Sequence, residues 1–228
     1  MRTILIIGGT NGLGRFIAQR ATDRGDNVIV AGRDADRAAA VAKELGDTVL
    51  GLGVDLAHPH AIAGSLAAVP AVDGLVITAS HQKPNTLDAL DLHDAITAVT
   101  TKLVGYAEAV RALRDRFTPA ASVVLFGGLA KERPYPGSTM VTTFNAGITG
   151  LIKTLAIEMA PHRVNALHPA LVGDSPRWRD ADLAAPTART PIGRLVTMDE
   201  IADATDFLLR NGGVNAHDLF VDGGFLAR

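Results

Sequence analysis

The chain has 228 residues, of which 47% are hydrophobic and 20% are charged, and this size and balance predict one globular domain over residues 1–228. Its formal net charge is −2, with no run of five like charges, which argues against nucleic acid or an anionic membrane as a partner. The absence of cysteine excludes disulfides, thiolate nucleophiles and cysteine-ligated metals.

The amino terminus lacks a signal-peptide pattern, because its short apolar run is broken at Gly8 and Gly9. We expect no apolar stretch with the length of a membrane span and no metal site. These features predict a soluble cytoplasmic protein that acts on a small molecule.

Short apolar runs alternate with helical patterns along the chain. The runs are continuous, which is typical of strands buried on both faces of a parallel sheet. The alternation predicts an α/β fold, a doubly wound parallel sheet of about seven strands with helices on both faces. A Pro- and Ala-rich stretch, residues 174–191, is expected to be a substrate-loop insertion over the carboxyl edge of the sheet. The predicted strands are Ile4–Ile7, Val28–Ala31, Val49–Leu52, Leu75–Thr78, Val123–Phe126, Val164–Leu167 and Leu219–Val221, and the predicted helices are Leu13–Asp23, Asp36–Leu45, Ala61–Ala67, Leu92–Asp115, Thr142–Met159 and Asp199–Arg210.

The fourth predicted helix carries two lines of residues at helical spacing. One line is apolar and is expected to be a single buried stripe. It consists of Leu92, Ile96, Val99, Leu103, Tyr106, Val110 and Leu113. The other line contains small residues that permit close approach of a backbone or ligand, with Lys102 as its one charged member, between Ala98 and Gly105. Lys102 is therefore either a solvated surface residue or a group that faces a site.

A glycine-rich segment directly follows the first predicted strand and opens the first helix. Glycines at such a junction allow a tight turn and close approach of the backbone to a pyrophosphate, and the amides of the helix amino terminus face the anion. The segment reads Gly8-Gly9-Thr10-Asn11-Gly12-Leu13-Gly14. We expect Gly8, Thr10, Asn11, Gly12, Leu13 and Gly14 to contact a dinucleotide.

The spacing Gly-x-x-x-Gly-x-Gly resembles that of the short-chain dehydrogenase/reductase family, and the resemblance covers nearly the whole chain. Further similar blocks follow in the family's order: Leu75 to Ser80, Lys102-Leu-Val-Gly105, Gly150 to Glu158, Arg163-Val-Asn165, Pro169, Pro191-Ile-Gly-Arg194, Glu200-Ile-Ala202 and Val221-Asp-Gly-Gly224. The resemblance implies a Rossmann-type domain, a nicotinamide cofactor, and a homodimer or homotetramer that pairs through its fourth and fifth helices.

The end of the second strand indicates which cofactor is used. Gly32 stands where an NAD-selective site needs an acid, and Arg33 can meet a 2′-phosphate through a forked, charge-assisted contact. This pair predicts NADP(H). The resemblance further implies that Asp55 and Leu56 lie at the adenine and that Ala79 and Ser80 line the cofactor.

The family's catalytic residues are not matched in this chain. The family transfers hydride and uses a Tyr, a Lys four residues later, an earlier Ser and a helical Asn. The chain has two tyrosines, and the residues four positions after them are Val110 and Thr139. The family alignment places Val141 at the tyrosine, Asn145 at the lysine, Gly128 at the serine and Lys102 at the asparagine. The chain thus resembles a divergent branch that lacks Tyr-x-x-x-Lys.

Lys102 brings an ammonium to the cavity that has lost one, and we predict that Lys102, Asn145, Tyr135 and Ser138 form the catalytic site. Lys102 and Asn145 are also candidates to contact the nicotinamide ribose. The alignment, with a one-residue insertion, places Ser175 at the nicotinamide carboxamide. His81 and His168 are within reach of this pocket, although packing or loop roles are the simpler interpretation.

Three functions are compatible with these residues. The first is an NADP(H)-dependent oxidoreductase acting on a small carbonyl, quinone or enone with an atypical proton donor. The second is a non-redox isomerase, cyclase or lyase on the same scaffold. The third is a binding protein that senses NADP(H).

Overall fold

The computed structural model describes residues 1–83 and 85–227. Within them, one parallel sheet of seven strands has the order β3-β2-β1-β4-β5-β6-β7. The strands are β1 (Thr3–Ile7), β2 (Asn27–Gly32), β3 (Leu50–Gly53), β4 (Val72–Ile77), β5 (Phe117–Phe126), β6 (Arg163–Pro169) and β7 (Asp218–Val221). The order reverses direction between β1 and β4, and ligands of doubly wound sheets bind at the carboxyl edge of such a reversal.

Helices cover both faces of this sheet. They are α1 (Gly12–Asp23), α2 (Ala35–Leu45), α3 (Pro59–Ser65), α4 (Leu92–Val99), α5 (Gly105–Ala112), α6 (Thr139–Glu158), α7 (Ala184–Ala188) and α8 (Met198–Arg210), and a π-helical segment (Thr100–Val104) joins α4 to α5. The predicted doubly wound α/β fold is therefore confirmed. The predicted insertion 174–191 contains α7 and a 3₁₀ turn over Pro176–Trp178, neither of which the residue pattern had indicated.

The apolar strands explain the two layers of core. In β1, Leu5 and Ile7 belong to the cluster that packs against α3, α5 and α6, whereas Ile4 and Ile6 belong to the cluster under α1, α2 and α8. Because both faces are covered, successive residues of the strand are all apolar. Burial on both faces of the sheet thus explains the continuous apolar runs in the sequence.

The long helix differs from its prediction, because it does not bury one stripe. Leu92 and Ile96, expected in the core, are 69% and 66% exposed, while Tyr106 and Val110 are fully buried. The π segment between them contains an extra residue relative to α-helical spacing, so the buried face changes. In the first half the buried face contains Ala95, Ala98 and Lys102 instead.

One helix among the described residues, α6, is long and apolar enough to cross a membrane, which corrects the expectation that no stretch has that length. Its apolar residues Phe144, Ile148 and Ile152 have no exposed surface and pack into the protein core. These three residues have the burial of a helix face that packs in the core. A cytoplasmic location stays a prediction of the sequence.

Candidate functional site

The glycine loop between β1 and α1 has a backbone that side chains would disrupt. Gly8 has φ +93°, a left-handed conformation that favours glycine, and a Cβ at Gly14 would lie 2.2 Å from the Gly8 carbonyl oxygen. Asn11 is the N-cap of α1, and its Oδ1 accepts a hydrogen bond from Gly12 N at 2.8 Å. The loop and the following helix therefore present backbone amides at the carboxyl edge of the sheet, where an anion is favourable.

Neighbouring strands hold this loop in place. Gly8 N donates to Ala31 O of β2 at 2.8 Å, and the Thr78 hydroxyl after β4 donates to Gly8 O at 3.2 Å. A Cβ at Gly32 would lie 2.8 Å from Thr10 Oγ1, so a larger residue at the end of β2 would collide with the loop. Leu13 packs against the core on the α1 side.

The two residues after Gly32 differ in their contacts: the acidic one caps a helix, and the basic one is exposed. Asp34 is the N-cap of α2, where its carboxylate accepts a hydrogen bond from Arg37 N at 3.0 Å. Arg33 is exposed, and within residues 1–83 and 85–227 it forms no ion pair. One oxygen of the Asp34 carboxylate is thus engaged by the helix, while the guanidinium of Arg33 remains exposed.

The loops after β3 and β4 form the next part of the edge. Asp55 accepts from Ala57 N and pairs with His58 Nδ1, both at 3.0 Å, and Leu56 is buried. This arrangement caps the loop. The Tyr106 hydroxyl donates to Ala79 O at 2.8 Å and so fixes the loop that leads to the exposed Ser80.

Lys102 is buried in an aromatic environment. It is 2% exposed, and its Nζ lies 5.1 Å from the centre of the Tyr106 ring and 5.9 Å from that of Phe144. Burial lowers the pKa of Lys102 to about 7. No hydrogen-bond acceptor among the described residues contacts Nζ, and aromatic faces offer a cation only a modest compensation. The interpretation of Lys102 as a solvated surface residue is therefore excluded.

Asn145 lies close to Gly128, at the carboxyl end of β5. Its side chain is 1% exposed, and among residues 1–83 and 85–227 its Oδ1 has no hydrogen-bond partner. A Cβ at Gly128 would lie 3.0 Å from Asn145 Nδ2. The amide of Asn145 therefore occupies space that a side chain at residue 128 would need.

A buried histidine positions the backbone of Gly128. Gly128 N donates to His168 Nδ1 at 3.1 Å, so the proton of the neutral ring lies on Nε2, which donates to Asp218 Oδ1 at 2.6 Å. The Thr149 hydroxyl, one turn after Asn145 on α6, donates to the same oxygen at 2.9 Å. Burial lowers the pKa of His168, and Lys131 and Lys102 lower it further, against the opposing effect of Asp218. Both ring nitrogens form hydrogen bonds within the protein, so His168 has a structural role.

The remaining predicted catalytic residues lie in the turn before α6. The Ser138 hydroxyl is buried and donates to Tyr135 O at 2.6 Å, while accepting from Tyr135 N at 3.0 Å. Tyr135 is 57% exposed. The structure thus places Lys102 beside Phe144, the residue before Asn145, whereas it uses Ser138 inside a turn and directs Tyr135 to the surface.

Two further loop residues have local partners. Ser175 caps the 3₁₀ turn of residues 176–178, where its Oγ accepts from Arg177 N at 3.4 Å. His81 Nε2 lies 3.1 Å from Asp94 Oδ1. Arg177 in turn donates to Gln82 Oε1 at 2.8 Å, which joins the insertion to the loop after β4.

The residue pattern had not indicated the contacts that involve Asp218 and Thr149. The available signal was the pair Gly127-Gly128: a Cβ at Gly127 would lie 2.2 Å from His168 Nδ1, so the histidine requires a glycine there. The glycine pair indicates a contact with His168 only when β5 and β6 are known to be neighbours in the sheet.

The site fits a nicotinamide dinucleotide. The loop of Gly8 and Gly14 has no room for side chains, as close approach of a pyrophosphate requires. Asn145 Oδ1, on α6, is a buried acceptor without a partner in the described part of the chain. Gly8 to Gly14 and Arg33 would hold the adenosine and phosphate half, and Lys102 and Asn145 would lie beside the nicotinamide half.

Comparison with known proteins agrees with this geometry. The 3-oxoacyl-[acyl-carrier-protein] reductase of Bos taurus is 27% identical over 96% of this chain and 95% of its own length. A solved structure of a short chain dehydrogenase/reductase family protein is 28% identical, with a TM-score of 0.88, over 100% of this chain and 98% of that one. The 3-ketoacyl-(acyl-carrier-protein) reductase of Brucella melitensis, complexed with NADH, is 26% identical with a TM-score of 0.87, over 99% of this chain and 98% of that one.

A family model described as enoyl-(acyl carrier protein) reductase matches residues 8–226, which is almost the entire chain. The match includes the glycine loop, the long helix with Lys102 and the carboxyl-terminal strand. The chain belongs to the short-chain dehydrogenase/reductase family of oxidoreductases.

Proposed function

We propose that this protein is an NADP(H)-dependent oxidoreductase that acts on a small carbonyl, quinone or enone, with Lys102 in place of the usual proton donor. The observation that carries the proposal is the buried side chain of Lys102, which has no hydrogen-bond acceptor among the described residues and lies beside Phe144, the residue before Asn145. Its charge also acts on His168 at the carboxyl end of β6. The related reductases act on carbonyl compounds according to their names, which supports the same class of substrate.

The preference for NADP(H) is supported by the end of β2. Asp34 caps α2 through one of its carboxylate oxygens, and Arg33 is exposed beside it. An arginine can bind a 2′-phosphate with two parallel hydrogen bonds.

Replacement of Arg33 by Ala is expected to weaken NADPH binding about 10- to 100-fold, as the loss of a charge-assisted hydrogen bond implies, and to leave NADH binding within about twofold. Fluorescence titration of both cofactors measures this, with NADH as the matched control. Equal losses for the two cofactors would show that Arg33 does not contact the phosphate.

When bound, the cofactor supplies the hydride. Lys102 has a pKa of about 7, so both its charged and neutral forms are present near neutral pH, as efficient proton transfer requires. Its ammonium can donate to the substrate oxygen as negative charge develops there. Quinones and enones accept charge well, so they need the least help from an acid.

Turnover tests the proposal directly. NADPH consumption with a panel of ketones, quinones and enones is the expected result. Turnover without NADPH consumption would instead favour an isomerase, cyclase or lyase. Binding of NADPH without any turnover, but with release or capture of a protein partner, would favour a sensor.

We also propose that the protein forms a homodimer or homotetramer. Leu92 and Ile96 of α4 and Val104 of the π segment are at least half exposed, which leaves apolar surface for a second copy. Ile96→Glu is expected to reduce the molecular mass in solution by at least twofold in light scattering at micromolar concentration. Leu87→Glu, at an exposed loop position, is the control. A wild-type monomer would contradict the proposal.

A further inference from the structure

A cleft lined by arginines lies at the amino edge of the sheet, at the opposite end of the strands from the glycine loop. Arg2 directly precedes β1, Arg163 begins β6 and Arg210 ends α8. The volume of the cleft is about 500 Å³, which lies within the range of about 300–1,000 Å³ of small-molecule sites. The same cleft also has an apolar surface, which includes Ala120, Ala121 and Leu209.

Hydrogen bonds to the backbone hold two of the three guanidinium groups in place. Arg163 donates three bonds of 2.7, 2.9 and 3.2 Å to carbonyl oxygens at and after the end of α8. Arg2 donates to Leu209 O at 3.1 Å and to Asp73 O at 3.3 Å. A guanidinium has five N–H groups. At least two N–H groups on each arginine therefore have no acceptor among the described residues and remain for a ligand.

The charges of these two arginines are not neutralised by ion pairs. Among the residues that the structure describes, neither Arg2 nor Arg163 pairs with a carboxylate. The Asp73 carboxylate instead accepts hydrogen bonds from Thr3 N and from the Thr118 hydroxyl, both at 2.7 Å. Burial lowers the pKa of Arg163, and the nearby charge of Arg2 lowers it further. Like charges held this close favour the binding of an anion between them.

Arg210 brings a third guanidinium group to the cleft. Its Nε lies 2.7 Å from Asp206 Oδ1, and its Nη2 lies 3.7 Å from Asp26 Oδ2. Arg24 pairs with the same two carboxylates at 3.1 and 3.4 Å, so these two arginines and two acids balance one another. The uncompensated positive charge of the cleft is therefore that of Arg2 and Arg163.

The number of guanidinium groups indicates the class of ligand. Arginine binds both carboxylates and phosphates through parallel hydrogen bonds. A phosphate monoester has about two negative charges and three terminal oxygens, one for each arginine, whereas a carboxylate has one charge and two oxygens. We propose that this cleft binds the phosphate group of a small phosphorylated molecule. The site is separate from the cofactor edge, and its existence does not depend on the proposed oxidoreductase activity.

The experiment is calorimetric titration with phenyl phosphate and benzoate, which share a ring and differ in the anion. It is done at low salt and about pH 7.5, where a phosphate monoester has about two charges. The variants are Arg210→Met and Ala120→Glu, both at exposed positions, so neither change removes a buried contact. Arg111→Met is the matched control, because Arg111 is also an exposed helical arginine that pairs with an acid one turn earlier.

We expect the wild type to bind phenyl phosphate at least about tenfold more tightly than benzoate, because phosphate engages the third arginine. Arg210→Met should weaken phenyl phosphate about tenfold, as the loss of a charge-assisted hydrogen bond implies, and Arg111→Met should leave it within about twofold. Ala120→Glu should abolish binding, because the new carboxylate competes with the ligand for the guanidinium groups.

Three outcomes would overturn the inference. The first is that phenyl phosphate does not bind the wild type at millimolar concentration. The second is equal affinity for benzoate, which would show that the cleft does not select phosphate. The third is an unchanged affinity in Arg210→Met or persistent binding in Ala120→Glu, because the ligand would then lie at another site, for example in the glycine loop.

Discussion

Lys102→Met is expected to stabilise the folded protein by about 4 kcal/mol at pH 7, because methionine fills a similar volume without a charge. Burial lowers the pKa of Lys102 from 10.5 to about 7. The unfolded chain therefore binds a proton more tightly than the folded one. The resulting destabilisation is complete below pH 7, decreases as the pH rises from 7, and disappears above pH 10.5.

The measurement is urea unfolding of the wild type and the variant between pH 6 and pH 10. The difference in the free energy of unfolding should be largest at pH 6 and should fall steadily toward pH 10. Lys153→Met, in the exposed part of α6, should show no such trend. A Lys102→Met variant that matches the wild type at every pH would show that Lys102 is solvated in the folded protein.

The same variant is expected to lose turnover while it gains stability. A residue that destabilises the fold and yet supports activity is typical of a functional site. If turnover with NADPH and a quinone or enone is unchanged, the proton comes from water or from another group, and Lys102 has no role in catalysis.

Gly14→Ala is expected to reduce NADPH affinity more than 100-fold and to destabilise the fold by about 3 kcal/mol, the upper range for overpacking a close contact. The new Cβ would lie 2.2 Å from Gly8 O and 2.5 Å from Thr78 Oγ1. Because the first of these atoms belongs to the backbone, the glycine loop must open to accommodate a methyl group. An open loop no longer presents its amides to a pyrophosphate.

Gly64→Ala is the matched control, since Gly64 also lies in a helix but a Cβ there would meet nothing within 4 Å. That variant should be unchanged or slightly stabilised, because alanine favours a helix over glycine. Titration with NADPH and urea unfolding measure both effects. A Gly14→Ala variant that binds NADPH like the wild type would contradict the proposed position of the pyrophosphate.

The sheet could be predicted from the sequence because its strands are buried on both faces and therefore carry uninterrupted apolar runs. The glycine loop could be predicted for a related reason, since Gly8 and Gly14 meet a backbone constraint that other residues cannot meet. Both features depend on local requirements that restrict the residue type at each position, so they can be predicted from the sequence.

The long helix shows where local patterns fail. Leu92 and Ile96 fit the α-helical stripe of Tyr106 and Val110, yet the π segment places them on the surface. A π-helical turn has no distinctive residue pattern and depends on how α4 and α5 pack. The contacts of His168 with Asp218 and Gly128 were equally inaccessible, because they join three strands that are distant in the sequence.

The four predicted catalytic residues also differ in how far the sequence could predict their environment. Lys102 and Asn145 were placed by their alignment with the family, and both side chains are buried in the structure, with Lys102 beside Phe144. Tyr135 and Ser138 were suggested by their position before α6. The positions of their side chains depend on a turn, in which the Ser138 hydroxyl donates a hydrogen bond to the backbone carbonyl of Tyr135.

The π segment makes the buried position of Lys102 sensitive to a change of one residue in helix length. Each α-helical residue turns the chain by about 100°, so an insertion or deletion there rotates one half of the helix against the other while the sheet stays as it is. Insertion or deletion of one residue between Thr100 and Val104 would thus change which side chain is buried at this point of the helix. Lys102 owes its inward position to this register.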